Sequence, residues 1–357
     1  MKIRAAILWE AGQPLSVEEA ELDPPGSGEV LVEVKAAGVC RSDLHPVRGD
    51  WPTRTPLVLG HEGAGIVREV GPNVKSLRAG DSVVFCWTPS CGECLQCRNG
   101  RPVLCDRLEQ TTYRNRLPSG ATRIHARGVN VNHFISTACF AEYAVVAEEG
   151  AIRIPADIPF DVLATLGCAV LTGIGATTNA VKLQKGSCVA VIGTGGVGLN
   201  VIQGARIAEC EEIIAVDRRP EPLRLAREFG ATKAIDSSEA DSVRADVVFD
   251  TVGSPATLSQ AFALTRKGGT VVLTGLSRTD SVGSIPLFPL VMQEKRLIGS
   301  LYGSGHPSTD IPRLAALYLE GKLKLRELIA RRYSLEQVNE ALEALANSEG
   351  ARGIVQM

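Results

Sequence analysis

The sequence lacks an excess of either charge, a long apolar run and any internal repeat. Its 357 residues carry 38 Lys and Arg against 40 Asp and Glu, a formal net charge of −2. No basic stripe breaks that balance, which argues against a nucleic-acid partner. The apolar runs are strand-length and are interrupted by Gly or charge, so no membrane span is expected. Residues 1–8 have neither the apolar core nor the cleavage site of a signal peptide, and they read as a first strand. No low-complexity tract is present. A chain of this length exceeds one ordinary core, so two domains are expected.

What is present is cysteine, ten in all. Cys91, Cys94, Cys97 and Cys105 read C-x2-C-x2-C-x7-C. Four thiolates so crowded close a tetrahedral zinc shell and leave no room for substrate. A ferredoxin-type iron–sulfur run has a shorter last gap followed by Pro; here Asp106 follows, which favours zinc. Such a zinc would hold together a lobe that lacks its own core. Cys40, His61 and Cys168 are spread over the first half of the chain. Taken singly, His61 reads as a buried hydrogen-bonded histidine and Cys168 as a small core residue. Taken together they give three ligands and an open fourth position, the arrangement of a catalytic zinc. With Cys86 as a near neighbour, seven Cys are assigned to metal or its surroundings. Metal use without an export signal points to a reducing cytoplasm rather than to disulfides.

The first part of the chain is β-rich. Strands are expected over 29–36, 63–70, 81–85 and 141–146, with Gly and Pro between them, which suggests a small barrel-like domain. The segment 106–139 is polar and rich in Arg, Asn and Thr, and reads as a long surface excursion. After Pro155 the pattern changes to alternating β and α. Strands are expected over 188–192, 212–217, 234–236, 246–250, 270–275 and 296–301. Helices are expected over 197–208, after Asp217 through Phe229, and near 258–265. That alternation implies an α/β, doubly wound parallel sheet. Amphipathic helices follow over 312–320 and 335–346.

Between the first two of those strands lies Gly193-Thr-Gly195-Gly196-Val197-Gly198, a dinucleotide fingerprint that opens a helix. Gly193 permits the tight turn, Gly195 lets the pyrophosphate approach the backbone, and Gly198 permits close helix–strand packing. Asp217 ends the second strand, 19 residues beyond Gly198. Its carboxylate would accept from ribose hydroxyls and repel a 2′-phosphate, so NAD is preferred over NADP, with Arg218 and Arg219 offsetting part of that repulsion.

These segments carry a resemblance. The run Gly60-His61-Glu62-x-x-Gly65-x5-Gly71-x2-Val74 resembles the signature of the zinc-containing medium-chain alcohol dehydrogenases, and the similarity extends from the first strand to Arg352-Gly-Ile-Val. The resemblance implies a GroES-like catalytic domain over 1–169, with a structural-zinc lobe over 91–105. It implies a Rossmann NAD-binding domain over 170–301 and a return to the catalytic domain over 302–357. It implies two zinc ions per chain, the catalytic one held by Cys40, His61 and Cys168. Glu62 would approach that metal from behind, and Asp43 would bond the free ring nitrogen of His61. Arg41 and Arg352 would touch the cofactor pyrophosphate, Thr172 would lie on the nicotinamide side, and Val252 would join the cofactor contacts. Ser42 would take the substrate proton and His45 deliver it to solvent, as histidine suits near neutrality. Trp51 and Trp87 fall where the family places pocket walls, which favours aromatic or medium-length primary alcohols.

The segment 117–143 looks like the insertion of the liver-type and glutathione-dependent formaldehyde dehydrogenase branches, and that insertion implies a homodimer paired through the last strand of the cofactor sheet. A thiol-adduct formaldehyde dehydrogenase is the alternative activity, but Glu109 stands where that branch carries a cation for the glutathione carboxylate. A conjugated C=C reductase is opposed by Ser42 and His45. A non-catalytic NAD-binding regulatory protein is opposed by the intact open-site ligands. The expected activity is hydride transfer between a primary alcohol and NAD, with a small-molecule alcohol or aldehyde as the substrate.

Overall fold

The computed structural model describes residues 1–154 and 157–357; Pro155, where the sequence pattern changes, lies outside them. The chain forms two compact units. The first comprises Met1–Cys168, His306–Gly321 and Leu325–Met357, and the second Ala169–Gly305 and Lys322–Lys324.

The first unit is built from two β layers. Lys2–Leu8, Ser16–Leu22, Ile124–Ala126, Val129–His133 and Leu57–Val58 close a barrel. A second sheet runs Ala151–Arg153, Ser82–Phe85, Glu62–Val70, Glu29–Val39, Arg352–Gln356 and Ile329–Ser334, with Tyr143–Ala147 also paired to Glu29–Val39. Alternation along Glu29–Val39 buries Val30, Val32 and Val34 in one core with Phe85, Phe134 and Phe140. Glu62–Val70 pairs with Glu29–Val39 so that Glu62 lies opposite Gly38. The C-terminal strand places Gly353 opposite Val39 on the other side. This register draws His61, Glu62, Cys40 and Arg352 together from three distant stretches of sequence.

The segment 106–139 is not a surface excursion. It supplies two barrel strands and buries Leu108, Leu117, Ile124, Val131, Phe134 and Ala138. Those apolar residues are spaced by turns rather than by a regular period, so the polar residues between them dominated the sequence pattern.

The second unit is a six-stranded parallel sheet. Its order is Lys233–Asp236, Glu212–Asp217, Cys188–Ile192, Ala245–Asp250, Thr265–Leu273 and Arg296–Gly299. Cys188–Ile192 is buried at every position, as a strand covered on both faces must be. Helices Gly196–Ile207, Pro220–Phe229 and Pro255–Leu264 connect the strands.

One element runs against expectation. Phe160–Ala180 is a continuous helix of 21 residues that contains an 18-residue stretch with a mean hydropathy of 1.6, long and apolar enough to cross a membrane. Of that stretch 89% is buried within the protein, which is how a core helix satisfies an all-round apolar surface. The boundary between the two units falls inside it, between Cys168 and Ala169.

Candidate active site

The site begins with a helix start. Arg41–Arg48 opens directly after Cys40, and Asp43 in its first turn accepts the Cys40 N–H at 2.9 Å through Oδ2. The other oxygen of Asp43 accepts from the Gly60 N–H at 3.2 Å and from His61 Nδ1 at 3.1 Å. One fully buried carboxylate thus holds Cys40 and His61, 21 residues apart in the sequence, and fixes the imidazole so that Nε2 is the nitrogen left for a metal.

The segment preceding His61 is clamped from the opposite side. Gly60 has φ +87, and a Cβ there would lie 2.6 Å from the Phe140 ring and 2.7 Å from its backbone nitrogen. Its carbonyl accepts from the Cys139 N–H at 3.1 Å and the Thr137 hydroxyl at 2.9 Å. The rings of Phe134 and His61 meet in a T-shaped contact, with centroids 5.8 Å apart. The loop making these contacts carries Ile135, Ser136 and Ala138 at positive φ, a strained course held by bonds such as Ile135 N–H to Asn115 Oδ1 at 3.0 Å. Sequence reading missed this clamp, because nothing local marks a left-handed Ile.

Donor atoms of Cys40, His61, Glu62 and Cys168 all lie within 4.8 Å of one another, and all four residues are buried. The electrostatics suit a cation. The Cys40 thiol is held well below its ordinary pKa, chiefly by a hydrogen bond from Cys168, whose own pKa is pushed up by the same contact. Burial opposes a charged His61, yet Asp43 and Cys40 overcome it and push its pKa up. Both Glu62 oxygens are buried without a hydrogen bond, and burial pushes that carboxyl up to about 8. Arg352 Nη2 stands 2.9 Å from Glu62 Oε1, a charge contact whose angle does not make it a hydrogen bond. Two thiols, one oriented imidazole and a carboxyl without a hydrogen bond form a soft and dry donor set, which fits zinc.

The second thiol group is also assembled. Cys91, Cys94, Cys97 and Cys105 bring their sulfurs within 4.8 Å of one another. Backbone N–H groups point at the sulfurs, as in Cys94 N–H to Cys91 Sγ at 3.4 Å and Asp106 N–H to Cys94 Sγ at 3.5 Å. The Glu93 N–H is the main reason that the Cys91 thiol falls to about 7, whereas burial pushes Cys97 up to about 12. This set likewise fits zinc. Cys86 belongs to neither group; its sulfur lies 3.4 Å from Thr88 Oγ1.

In the second unit the glycine turn has the shape that a dinucleotide requires. A Cβ on Gly198 would lie 1.9 Å from the Gly193 carbonyl, and one on Gly193 would lie 2.6 Å from Val252 Cγ2. A Cβ direction at Gly195 meets nothing within 4 Å, which leaves an open cradle at a helix start with no side-chain cap. Gly196 and Val197 form the first turn of that helix. Asp217 is held by the Thr194 N–H at 2.8 Å and hydroxyl at 3.0 Å, and by the backbone N–H groups of Arg218 and Arg219 at 2.8 and 3.2 Å. Thr194 was not singled out from the sequence, where it is the variable position of the fingerprint. Thr172 is buried in Leu171–Gly175, and Arg218 is exposed.

Other expected residues are distributed as follows. Ser42 Oγ lies 3.8 Å from Cys40 Sγ. Arg41 is exposed and donates to Ser348 Oγ at 3.0 Å. Arg352 is buried against Glu62 and also reaches the Val39 carbonyl at 3.4 Å. Trp87 is buried. Trp51 is partly buried, with one face stacked on the His45 ring.

Comparison with known proteins agrees. Residues 26–156 match the Alcohol dehydrogenase GroES-like domain family, and residues 196–320 match the Zinc-binding dehydrogenase family. The NDMA-dependent alcohol dehydrogenase of Amycolatopsis methanolica is 38% identical over 372 residues, covering 99% of each chain. Alcohol dehydrogenase B of Mycobacterium tuberculosis is 37% identical over 368 residues, covering 99% of this chain and 98% of that one. The crystal structure of benzyl alcohol dehydrogenase from Acinetobacter calcoaceticus superposes with a TM-score of 0.94 at 31% identity, over 100% of this chain and 99% of that one. The buried donor set, the glycine turn and these full-length similarities together place the chain in the zinc-containing medium-chain alcohol dehydrogenase family.

Proposed function

We propose that the chain interconverts primary, including aromatic, alcohols and their aldehydes with NAD, using one catalytic and one structural zinc per chain. The observation that carries this reading is the buried Cys40–His61–Cys168 set, with His61 oriented by Asp43 and Glu62 as the remaining donor within 4.8 Å. Zinc held there supplies Lewis-acid activation of the substrate oxygen, and NAD on the glycine turn supplies the hydride acceptor. Asp43 fixes the His61 ring, and Arg352 balances the charge of Glu62. Ser42 takes the alcohol proton, and His45 passes it to solvent. Asp217 holds the adenosine ribose, and Arg41 holds cofactor phosphate. Residues 1–169 and 302–357 form the catalytic domain, and 170–301 the cofactor domain. The aromatic preference is supported by Trp51 and Trp87 and by the likeness to a benzyl alcohol dehydrogenase.

A panel of aliphatic alcohols, benzyl alcohol and a thiol hemiacetal, followed by absorbance of reduced cofactor with NAD or NADP, tests the activity. One arm adds NDMA, since a relative is named as dependent on it. Turnover confined to the hemiacetal would replace this reading by the thiol-adduct one. Elemental analysis should find two zinc per chain, and one after Cys97→Ser.

We place the protein in a reducing cytoplasm, supported by the gathering of six cysteines into two candidate metal sites. A homodimer paired through Arg296–Gly299 is supported by its position at the sheet edge and by the neighbouring Leu287, Phe288, Val291 and Met292, which are 65–77% exposed. Light scattering should give twice the chain mass, and Phe288→Glu should halve it.

A further inference from the structure

The helix Arg41–Arg48 ends on Gly49, which takes φ +73 and sends its N–H back to the carbonyls of His45 and Pro46. The next two residues continue the turn around the same point. Asp50 donates its N–H to the His45 carbonyl at 2.9 Å, and Trp51 reaches that carbonyl at 3.5 Å. A left-handed cap of this kind is cheap only for glycine. Its effect here is to fold Asp50 and Trp51 back over the side chain of His45. Asp50 Oδ2 then lies 3.2 Å from His45 Nδ1. The indole lies parallel to the imidazole, with centroids 4.4 Å apart and planes 17° from parallel. The side chains of His45 and Asp50 are only 12% and 17% exposed. The run His45-Pro-Val-Arg-Gly49-Asp50-Trp51 is therefore a single folded device, with one side chain below the ring edge and another across its face.

We infer that Asp50 and Trp51 are positioning residues that hold His45 in the Nδ1–H form with Nε2 unprotonated and fixed in direction. The inference rests on the reading of His45 as the proton outlet. A carboxylate is acceptor-only, so the nitrogen facing it is the one that keeps its hydrogen. Nε2 is left with a lone pair. It receives the proton that leaves the substrate, the ring becomes imidazolium, and the same N–H is then lost to water or buffer. The Nδ1–H bond to Asp50 stays in place throughout, and the indole face is attractive to the transient cation. Trp51 thereby has a role distinct from lining a substrate pocket.

The test needs neither metal nor cofactor for its first readout. The chain has five histidines, so long-range proton–nitrogen spectra of histidine-labelled protein are tractable, and the His45 signals are those absent from His45→Gln. The expected result is the Nδ1–H pattern in the parent and a tautomer mixture in Asp50→Ala. Asp50→Asn, which keeps a carbonyl acceptor, should retain the parent pattern. In turnover, Asp50→Ala should lower kcat by about 3- to 10-fold, the worth of one net hydrogen bond, with little change in KM. The double variant His45→Gln/Asp50→Ala should be no slower than His45→Gln alone. Added imidazole should restore both single variants. An Nε2–H pattern for His45 in the parent protein overturns the inference, as do additive losses in the double variant. If His45→Gln itself leaves kcat intact, the proton-outlet reading is what fails, and the spectra still report on the dyad.

Discussion

His133 gives the sharpest quantitative prediction. It ends the barrel strand Val129–His133 and is fully buried. Its Nε2 accepts the Arg123 backbone N–H at 3.0 Å, so Nδ1 carries the hydrogen, and that atom has no hydrogen-bond partner. A second proton has nowhere to go. Burial, reinforced by Arg123 and His125, depresses the pKa from 6.5 to about 3. Above pH 6.5 the ring is neutral in both the folded and unfolded chain and contributes no pH dependence. Below it, the unfolded chain binds a proton that the folded ring refuses, so stability is lost as pH falls from 6.5 toward the folded value. Linkage puts the loss between pH 7 and pH 5 at about 2 kcal/mol, and that figure barely changes if the folded value lies a unit to either side. The matching shift in melting temperature of the first unit is about 4–8 °C.

The comparison variant is His133→Gln, whose carbonyl can accept the same N–H. It should carry a cost that does not vary with pH, so parent and variant should converge by about 2 kcal/mol between pH 7 and pH 5. Metal loss at low pH acts on both proteins and cancels in the difference. Thermal or urea melts at half-unit steps of pH decide the matter. Parallel curves for the two proteins would show that His133 is protonated in the native state, and the reasoning from burial would be wrong.

Further expectations concern the metal and cofactor groups. Gly60→Ala forces the backbone away from Phe140 and so displaces His61. Strain of about 1–3 kcal/mol is expected, with loss of the catalytic zinc and retention of the clustered-thiol zinc by elemental analysis. Glu62→Leu strands Arg352, whose guanidinium cannot shed its proton, as a buried charge and should cost about 3–5 kcal/mol in urea unfolding, much of it recovered in the double variant with Arg352→Met. Asp217→Ala should weaken NAD binding on the order of 10- to 100-fold while narrowing the preference over NADP, as read by titration of reduced-cofactor fluorescence.

Several features were legible because they are written locally. The glycine turn is one: strand, fingerprint and acid fall within thirty residues, and the strand Cys188–Ile192 is found at its expected bounds. The four clustered Cys are another, since their spacing alone nearly dictates a shared ion. That the second unit carries a parallel sheet followed from alternating apolar strands and helices, whereas its register came only from the structure. The sequence of 106–139 misled, because its buried residues come from short turns and two short strands with no sustained period.

What only the tertiary structure decided is how distant residues are oriented. Asp43 is an ordinary helix-start acid until the fold brings His61 against it. Arg352 is an ordinary basic residue until the last strand pairs beside Val39 and buries it on Glu62. The clamp on Gly60 depends on a loop eighty residues downstream, and the Asp50–His45–Trp51 stack depends on the hand of one glycine cap. A linear sequence records which donors and acceptors exist. Their directions arise only when backbone register and left-handed turns fix where each side chain points, and metal binding and proton transfer depend on direction as much as on identity.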